Sequence, residues 1–431
     1  MNFKYALRSA RKNPLITTVA ILSLALGIGA NTAIFSLIDQ LLLRMLPVEG
    51  PQQLVQLAAR GPYYGAQWGE DRMSYPMYRD FRDKATVFSG VLAWYAAPAS
   101  LGYGGRTELI RSELVTGDYF QVLGVKTAVG RAFAREDNES PGAEPFAMLT
   151  YDFWKSRFGA DPNIVGETIR LNGNPMTVIG VSAPGFRGLE IGDAAQVFVP
   201  MMMQQQVNPV LSAGLPVSAL ESRRSRWVNV FARLKPGVGM AQAQAAVAPL
   251  YRQIIEMEVT EAGFRRASEN TRQQFLTSHM DVFDGSTGRS ALRKGFTTPL
   301  YVLMAITGLV LLIACANVAN LLIARATARQ KEIAVLLALG AGRRQIVAQL
   351  MVESLLLSAT AAAAGLGLGV WINRGLLQFL PTENSSLTLT AALDGRVLAF
   401  SLAIALATAF IFGLAPALQA TKPHLSDTLK N

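Results

Sequence analysis

Four stretches of the chain stay apolar for longer than the core of a soluble domain requires. Leu15 to Ile38 carries no charge between Lys12 and Asp39, and Phe296 to Ala324 carries none between Lys294 and Arg325. Gln345 to Asn373 has Glu353 as its one charge, and Val397 to Thr421 is uncharged between Arg396 and Lys422. A helix of about 20 apolar residues crosses the roughly 30 Å of hydrocarbon in a bilayer, so the pattern predicts four transmembrane helices. The first run follows Lys4, Arg8, Arg11 and Lys12, a flank that signal peptides share. Signal peptides have an apolar region of about 7–15 residues. This run continues past Ala30 through Ile34, Phe35, Leu37 and Ile38, and is expected to stay as a span.

Between the first and second runs the pattern changes to that of a globular domain. Thr168–Ser182 alternates on either side of Asn172-Gly173, a pair that tolerates positive φ, and predicts a hairpin. Arg226–Leu234 alternates as a strand, Lys235-Pro236-Gly237 breaks it, and the following Met240–Ile255 has helical spacing. A strand, turn, helix order of this kind belongs to α+β modules. Residues 200–222, rich in Met, Gln and Ser, show no period and read as a mobile loop. Glu136–Glu144 reads as a second loop with solvated acids.

Composition and charge add a topology. The chain is 51% hydrophobic and 16% charged, so its apolar runs need a second solvent besides one core. Of the formal net charge of +10, the N-terminal arm holds +4, the link between the second and third runs +4 and the C-terminal tail +1. Positive loops stay in the cytoplasm, which puts those three segments inside. The basic balance therefore reads as topology and not as nucleic-acid binding, and the basic residues lack the evenly spaced aromatics that a nucleic-acid groove requires.

The expected layout is a cytoplasmic amphipathic arm at 1–14, a transmembrane helix at 15–43 and an extracytoplasmic domain at 44–295. A second helix follows at 296–324, a cytoplasmic segment at 325–344, and a third helix at 345–380. An extracytoplasmic loop at 381–395, a fourth helix at 396–421 and a cytoplasmic tail at 422–431 complete it. In this layout the lipid bilayer itself is a partner.

Catalytic chemistry is missing. None of the ten lysines follows a glycine, so the chain holds no GxxxxGK[ST] phosphate loop. Gly180-Val181-Ser182-Ala183-Pro184-Gly185 misses the nucleophile-elbow spacing by one residue. Two histidines, His279 and His424, rule out a site built on several imidazoles, and the lone Cys315 lies inside an apolar run. The expectation is no enzyme activity, no cofactor and no metal.

What remains lies in the spans and the link. Lys331 to Ile346 reads as a short amphipathic helix offering Ile333, Leu336, Leu337 and Leu339 to one side, next to Lys331 and Glu332. Gly340 and Gly342 then permit a sharp turn, and Arg343 and Arg344 open the next helix. Two readings stand: an interfacial helix anchored by charge, or a docking helix that lays its apolar side into a groove on a cytoplasmic partner. Ala25, Gly29 and Ala33, and again Gly365 and Gly369, have the small-xxx-small spacing of close helix contacts, within one chain or between two. Asn31 and Asn317 are expected to hydrogen-bond between helices, Cys315 to pack, and Glu353 to reach the interface or an arginine.

The chain resembles the MacB/FtsX-like permease subunits of ABC transporters, and within them one unit of the duplicated orphan permeases of acidobacteria. The stretches that carry the likeness are ALRSARKNPLITTVAILSLALGIGANTAIFSLIDQLLLRMLP, VTGDYFQVLGVKTAVGRAFAREDN, DPNIVGETIRLNGNPMTVIGVSAPGFRG and WVNVFARLKPGVGMAQAQAAV. ACANVANLLIARATARQKEIAVLLALGAGRRQIVAQLMVESLLL and FGLAPALQATK follow in order, so the likeness covers nearly the whole length. It implies a four-helix transmembrane domain with an α+β domain of the MacB core type inserted between helices 1 and 2, in a bacterial inner membrane. It also implies that Lys331 to Arg344 form the coupling segment that docks on a separate cytoplasmic ABC ATPase.

Duplicated orphan permeases carry two such units and this chain has one. Either it pairs with a second copy as a homodimer, or it is one half of a longer chain that forms a pseudo-dimer. A periplasmic adaptor is a further partner the resemblance allows. Two functions stay open: a permease for export or mechanotransmission driven by that ATPase, and a membrane-anchored receptor or scaffold whose outer domain binds without ATP-driven work.

Overall fold

The computed structural model describes residues 14–328, 342–379 and 394–420, which divide into a helical unit (up to Arg44, and from Ala291 on) and an α+β unit, Met45–Ser290. Along the chain come α1 (Pro14–Ile38), β1 (Leu54–Arg60), β2 (Ala66–Gln67), α2 (Tyr75–Lys84), β3 (Phe88–Tyr103) and β4 (Arg106–Val115). Next are α3 (Tyr119–Leu123), β5 (Thr127–Gly130), β6 (Phe146–Leu149), α4 (Tyr151–Arg157), β7 (Thr168–Leu171), β8 (Asn174–Ser182) and β9 (Val197–Pro200). The α+β unit closes with α5 (Gln204–Val207), β10 (Ser225–Arg226), β11 (Asn229–Leu234), α6 (Met240–Thr260), α7 (Glu269–Phe275) and β12 (His279–Asp284). Three long helices follow: α8 (Ala291–Ala328), α9 (Arg343–Phe379) and α10 (Gly395–Ala420).

The α+β unit is organised by one mixed sheet in the order β12-β1-β11-β3-β4-β9-β6-β8-β5, with β7 bridging β3 and β8. Its central strands bury both faces. In β11, Val230 and Ala232 join one core while Phe231 joins the other; in β9, Val197 and Val199 oppose Phe198 in the same way. Strands covered on both sides read as continuous apolar runs and not as alternation, which is why β9 reads Val-Phe-Val. The second face is closed by an aromatic cluster in which Phe120 and Phe198 meet edge to face at 5.2 Å.

The expected hairpin is present. Asn172 and Gly173 take φ of 49° and 84°, the two left-handed residues of a tight hairpin turn. The Asn172 side chain is used as well: it accepts from the Ser100 N–H at 2.8 Å and donates to the Val207 carbonyl at 2.7 Å. The expected helix is α6, whose Ala243, Val247, Tyr251, Ile254 and Ile255 face the core. The strand expected over Arg226–Leu234 begins at Asn229, because Trp227 and Val228 instead take the Met73 carbonyl as acceptor.

Residues 200–222 do not form a mobile loop. Met201, Met202, Met203, Val207 and Leu211 are buried in short helical turns, and Gln204 is fully buried, its amide nitrogen donating to the Asn208 carbonyl and its amide oxygen accepting from the Ser212 hydroxyl. The segment has no period because tertiary partners satisfy it, not a regular ladder. In the Glu136–Glu144 stretch, Asp137 is not simply solvated: it accepts from the Ala134 N–H at 2.8 Å and pairs with Arg131.

Among the described residues of the helical unit, four helices are long and apolar enough to cross a membrane: Pro14–Leu43, Gly295–Ala324, Val347–Gly375 and Gly395–Leu414. α1 touches each of the other three. Two-thirds (67%) of its most apolar window is buried, against 22%, 28% and 39% for the others, so α1 is the centre of the bundle. Its small residues suit that place, since close helix packing in lipid depends on short side chains. Cys315 packs with Leu24, Ile28 and Leu311 in this core.

Candidate functional site

The bundle is held together at three levels, each built from residues far apart in sequence. In the middle, the two glycine-bearing stretches meet each other within one chain. A Cβ added to Gly29 would lie 2.7 Å from the Gly365 carbonyl oxygen, and one added to Gly365 would lie 2.9 Å from that of Ala25. A Cβ on Gly369 would lie 3.0 Å from the Gly29 oxygen. α1 and α9 thus touch backbone to backbone, with Ala25 and Ala33 buried on the same helix.

Hydrogen bonds between side chains form the second level. Thr32 and Ser401 hydroxyls lie 3.0 Å apart, the Thr307 hydroxyl donates to Asn31 Oδ1 at 3.2 Å, and Asn373 donates to the Ser36 hydroxyl at 3.3 Å. Asn31 thus bonds between helices, as its sequence position led one to expect. Asn317 does not: it is exposed on the outer face of α8, because the helix turns Cys315 and Val318 inward there. Glu353 is buried on α9, one residue before the buried Ser354.

The third level is an ionic cluster at one end of the bundle. α1 ends in a single π-turn, Asp39–Leu43, which presents Asp39 inward with its side chain 1% exposed. Arg44 reaches one oxygen at 3.0 Å and Arg396 the other at 3.2 Å. Arg44 also bonds Asp394, the residue before α10, while Arg293 donates to the Leu41 carbonyl at 3.0 Å. Sequence reading missed this cluster. The available signal was that Asp39, Asp394 and Arg396 sit at the borders of apolar runs, at one depth in an alternating topology.

Of the expected docking segment, Lys331, Glu332, Ile333, Leu336, Leu337, Leu339 and Gly340 lie outside the described residues, as do most of the N-terminal arm, the loop before α10 and the tail. Gly342, Arg343 and Arg344 are described. Gly342 precedes α9, its N–H bonded to the Gln345 side chain at 3.3 Å, and Arg344 is exposed in the first turn. Cations at a helix N-terminus oppose its dipole, so helix stability does not account for two arginines there.

The α+β unit has buried titratable groups of its own. Glu113 is enclosed beside Glu190 and Asp193, with the Tyr119 hydroxyl donating to it at 3.3 Å, and burial raises its pKa well above the usual range. Glu190 pairs with Arg289 and Asp193 with Arg111, each at 3.0 Å. Glu258, on the last turn of α6, is raised to about 7 by burial, against the opposing pull of Arg226 and Arg223.

A carboxyl whose folded pKa lies above its unfolded one favours the fold at low pH. Its contribution is fully present below about pH 4.3 and is lost as pH rises through 7. Glu258→Gln keeps an acceptor for Arg223 and removes this loss. We expect the variant to be more stable than the unmodified protein at pH 8 by on the order of 2 kcal/mol and to converge with it at pH 4. Thermal melts across that range check the slope; parallel profiles for the two proteins would show that Glu258 is already neutral or solvated.

Four apolar helices, with an α+β domain inserted after the first, make this a multi-pass membrane protein with one large domain outside the bilayer. Residues 17–250 match the MacB-like periplasmic core domain, and residues 304–425 match the FtsX-like permease C-terminal region. The chain belongs to the MacB/FtsX-like permease family, whose place is the bacterial inner membrane. It is 25% identical over 374 residues to the macrolide export ATP-binding/permease protein MacB of Salmonella paratyphi A, covering 85% of this chain and 51% of that one. To MacB of Shigella boydii it is 24% identical over 436 residues, covering 98% and 59%. The chain thus spans about half the length of the curated relatives it matches. The periplasmic region of MacB from Actinobacillus actinomycetemcomitans aligns with 47% of this chain and 85% of its own, at 16% identity and a TM-score of 0.36.

Proposed function

We propose that this chain is the membrane subunit of an ABC-type export or mechanotransmission system, coupling a separate cytoplasmic ATPase to the domain outside. The observation that carries the proposal is a permease-family fold whose 431 residues contain no phosphate loop. The MacB relatives are named as ATP-binding and permease proteins in one, and this chain aligns with about half of their length. These residues supply no phosphate loop of their own, so the work draws on an ABC ATPase outside them.

The orientation follows from charge. With 325–344, the N-terminal arm and the tail carrying the positive excess, these segments face the cytoplasm and residues 44–295 face the periplasm. Lys331 to Arg344 then form the coupling segment, and the two arginines opening α9 against the helix dipole are there for a partner or the headgroups. An ATPase dimer offers two docking sites, so the working assembly holds two permease units, as a homodimer or with a paired half. A periplasmic adaptor would dock on the outer domain.

The test is purification of the tagged chain from native membranes in mild detergent, with co-purifying proteins identified by mass spectrometry. We expect an ABC ATPase among them, in a ratio near one per permease. A preparation in which the only partners are extracytoplasmic would favour the receptor or scaffold function instead.

A further inference from the structure

We propose that the groove between α9 and α10 holds one acyl chain of a phospholipid, with the headgroup at the level of Arg44 and Arg396. The groove encloses about 380 Å³ between Ala359, Ala362 and Leu366 on α9 and Leu398, Leu402 and Ala405 on α10. Four of its lining residues are alanines and two are serines, so the two helices meet there with few side chains long enough to fill the space between them.

Its two hydroxyls are already engaged. Ser358 bonds the Ala405 carbonyl and lies 3.0 Å from Thr408 Oγ1. Ser401 donates to the Val397 carbonyl at 2.8 Å and meets Thr32 at 3.0 Å. A water needs two to four polar partners to stay in a cavity, and a polar ligand needs at least one. The occupant must therefore be apolar.

Length separates a lipid from a protein. Its walls, Leu355–Leu366 on α9 and Leu398–Leu406 on α10, rise roughly 16 and 12 Å at 1.5 Å per residue. That is about half of the roughly 30 Å that a partner helix would cross. A stable protein interface buries about 800 Å² on each side, which a trough two to three turns long does not supply. One tail from one leaflet matches it. The polar end agrees: Asp394 lies one turn before Leu398 on the same stripe, bonded to Arg44, and the Arg44 and Arg396 side chains are 45% and 57% exposed. Guanidinium groups bind phosphate oxygens through paired N–H donors.

The test places the full chain in vesicles of phosphatidylethanolamine and phosphatidylglycerol that contain a phospholipid with a photoactivatable group midway along its acyl chain. After illumination, adducts are mapped by peptide. We expect adducts on 355–366 and 398–406 to exceed those on Leu309, Val310, Leu312 and Ile313, the exposed residues of α8, by about twofold or more, because a chain seated between two helices is in van der Waals contact on two sides and a chain on a single helix face on one. Ala362→Phe with Ala405→Phe, which fills the trough, should bring them down to the α8 level. Equal labelling of all exposed helix faces in the unmodified chain overturns the proposal, and so does an excess that survives the filled trough. Crosslinks from the groove to a second copy of the chain would also overturn it. Should the filled variant fail to fold, the comparison with α8 in the unmodified chain still decides.

Discussion

Gly365→Leu is expected to abolish the folded bundle, whereas Gly367→Leu, two residues along the same helix, is expected to leave it intact. A Cβ at 365 would lie 2.9 Å from the Ala25 carbonyl oxygen and 3.2 Å from the Gly29 nitrogen. Both are backbone atoms of a central helix and neither can rotate away. A Cβ at 367 meets nothing within 4 Å. Overpacking a core costs about 1–3 kcal/mol where side chains can shift; here the whole helix must shift, so the cost lies at or above that range. Gly365→Ala should show the lower end. Thermal unfolding in detergent, followed by light scattering or helical CD, reads all three. Equal tolerance of leucine at 365 and 367 would mean that α1 and α9 are not in backbone contact.

The second large effect is expected at Asp39. Its carboxylate is buried between two arginines that are themselves about half exposed. Breaking a buried pair from one side costs about 3–5 kcal/mol, because the partner charge is stranded. Arg44 and Arg396 can turn to the headgroups, so Asp39→Ala should fall at the lower end, near 3 kcal/mol. Arg44→Gln and Arg396→Gln should each cost less, since the remaining arginine still neutralises Asp39. The order of the three melting temperatures is the check. An arginine variant as unstable as Asp39→Ala would show that the arginine's other bonds, Arg44 to Asp394 and Arg396 to the Leu43 carbonyl, matter as much as the pairing with Asp39.

Different parts of this molecule were legible in the sequence for different physical reasons. The spans were readable because lipid demands long uncharged runs, and the runs are bounded by Lys12, Asp39, Lys294 and Arg396. The Asn172-Gly173 hairpin was readable because few residues accept positive φ. The segment 200–222 differs from its sequence reading because its order comes from side chains, with Gln204 donating to the Asn208 carbonyl, Ser212 accepting from the Ala219 N–H and Trp227 donating to the Ala219 carbonyl, which leaves no period. Small-xxx-small spacing marked Gly29 and Gly365 as contact residues but said nothing about the partner surface. The structure places each against the other. The Asp39 cluster was invisible because a sequence shows charges at the ends of runs without showing which ends meet in space. Asn317 was assigned to an interhelical bond from its depth alone, and rotation about the helix axis decided otherwise.

The docking element is where the account is most exposed to test. The ATPase contact is assigned to the segment that Arg343 and Arg344 close, where Arg344 is exposed in the first turn of α9. The decisive measurement is the amount of ABC ATPase retained per permease when both arginines are changed to Glu, with the two proteins purified side by side and the melting temperature recorded. The account predicts that retention falls at least about tenfold, the equivalent of 1.4 kcal/mol of binding, with the melting temperature unchanged or higher because acids suit a helix N-terminus. Equal retention by both proteins would contradict it and move the contact elsewhere on the cytoplasmic side.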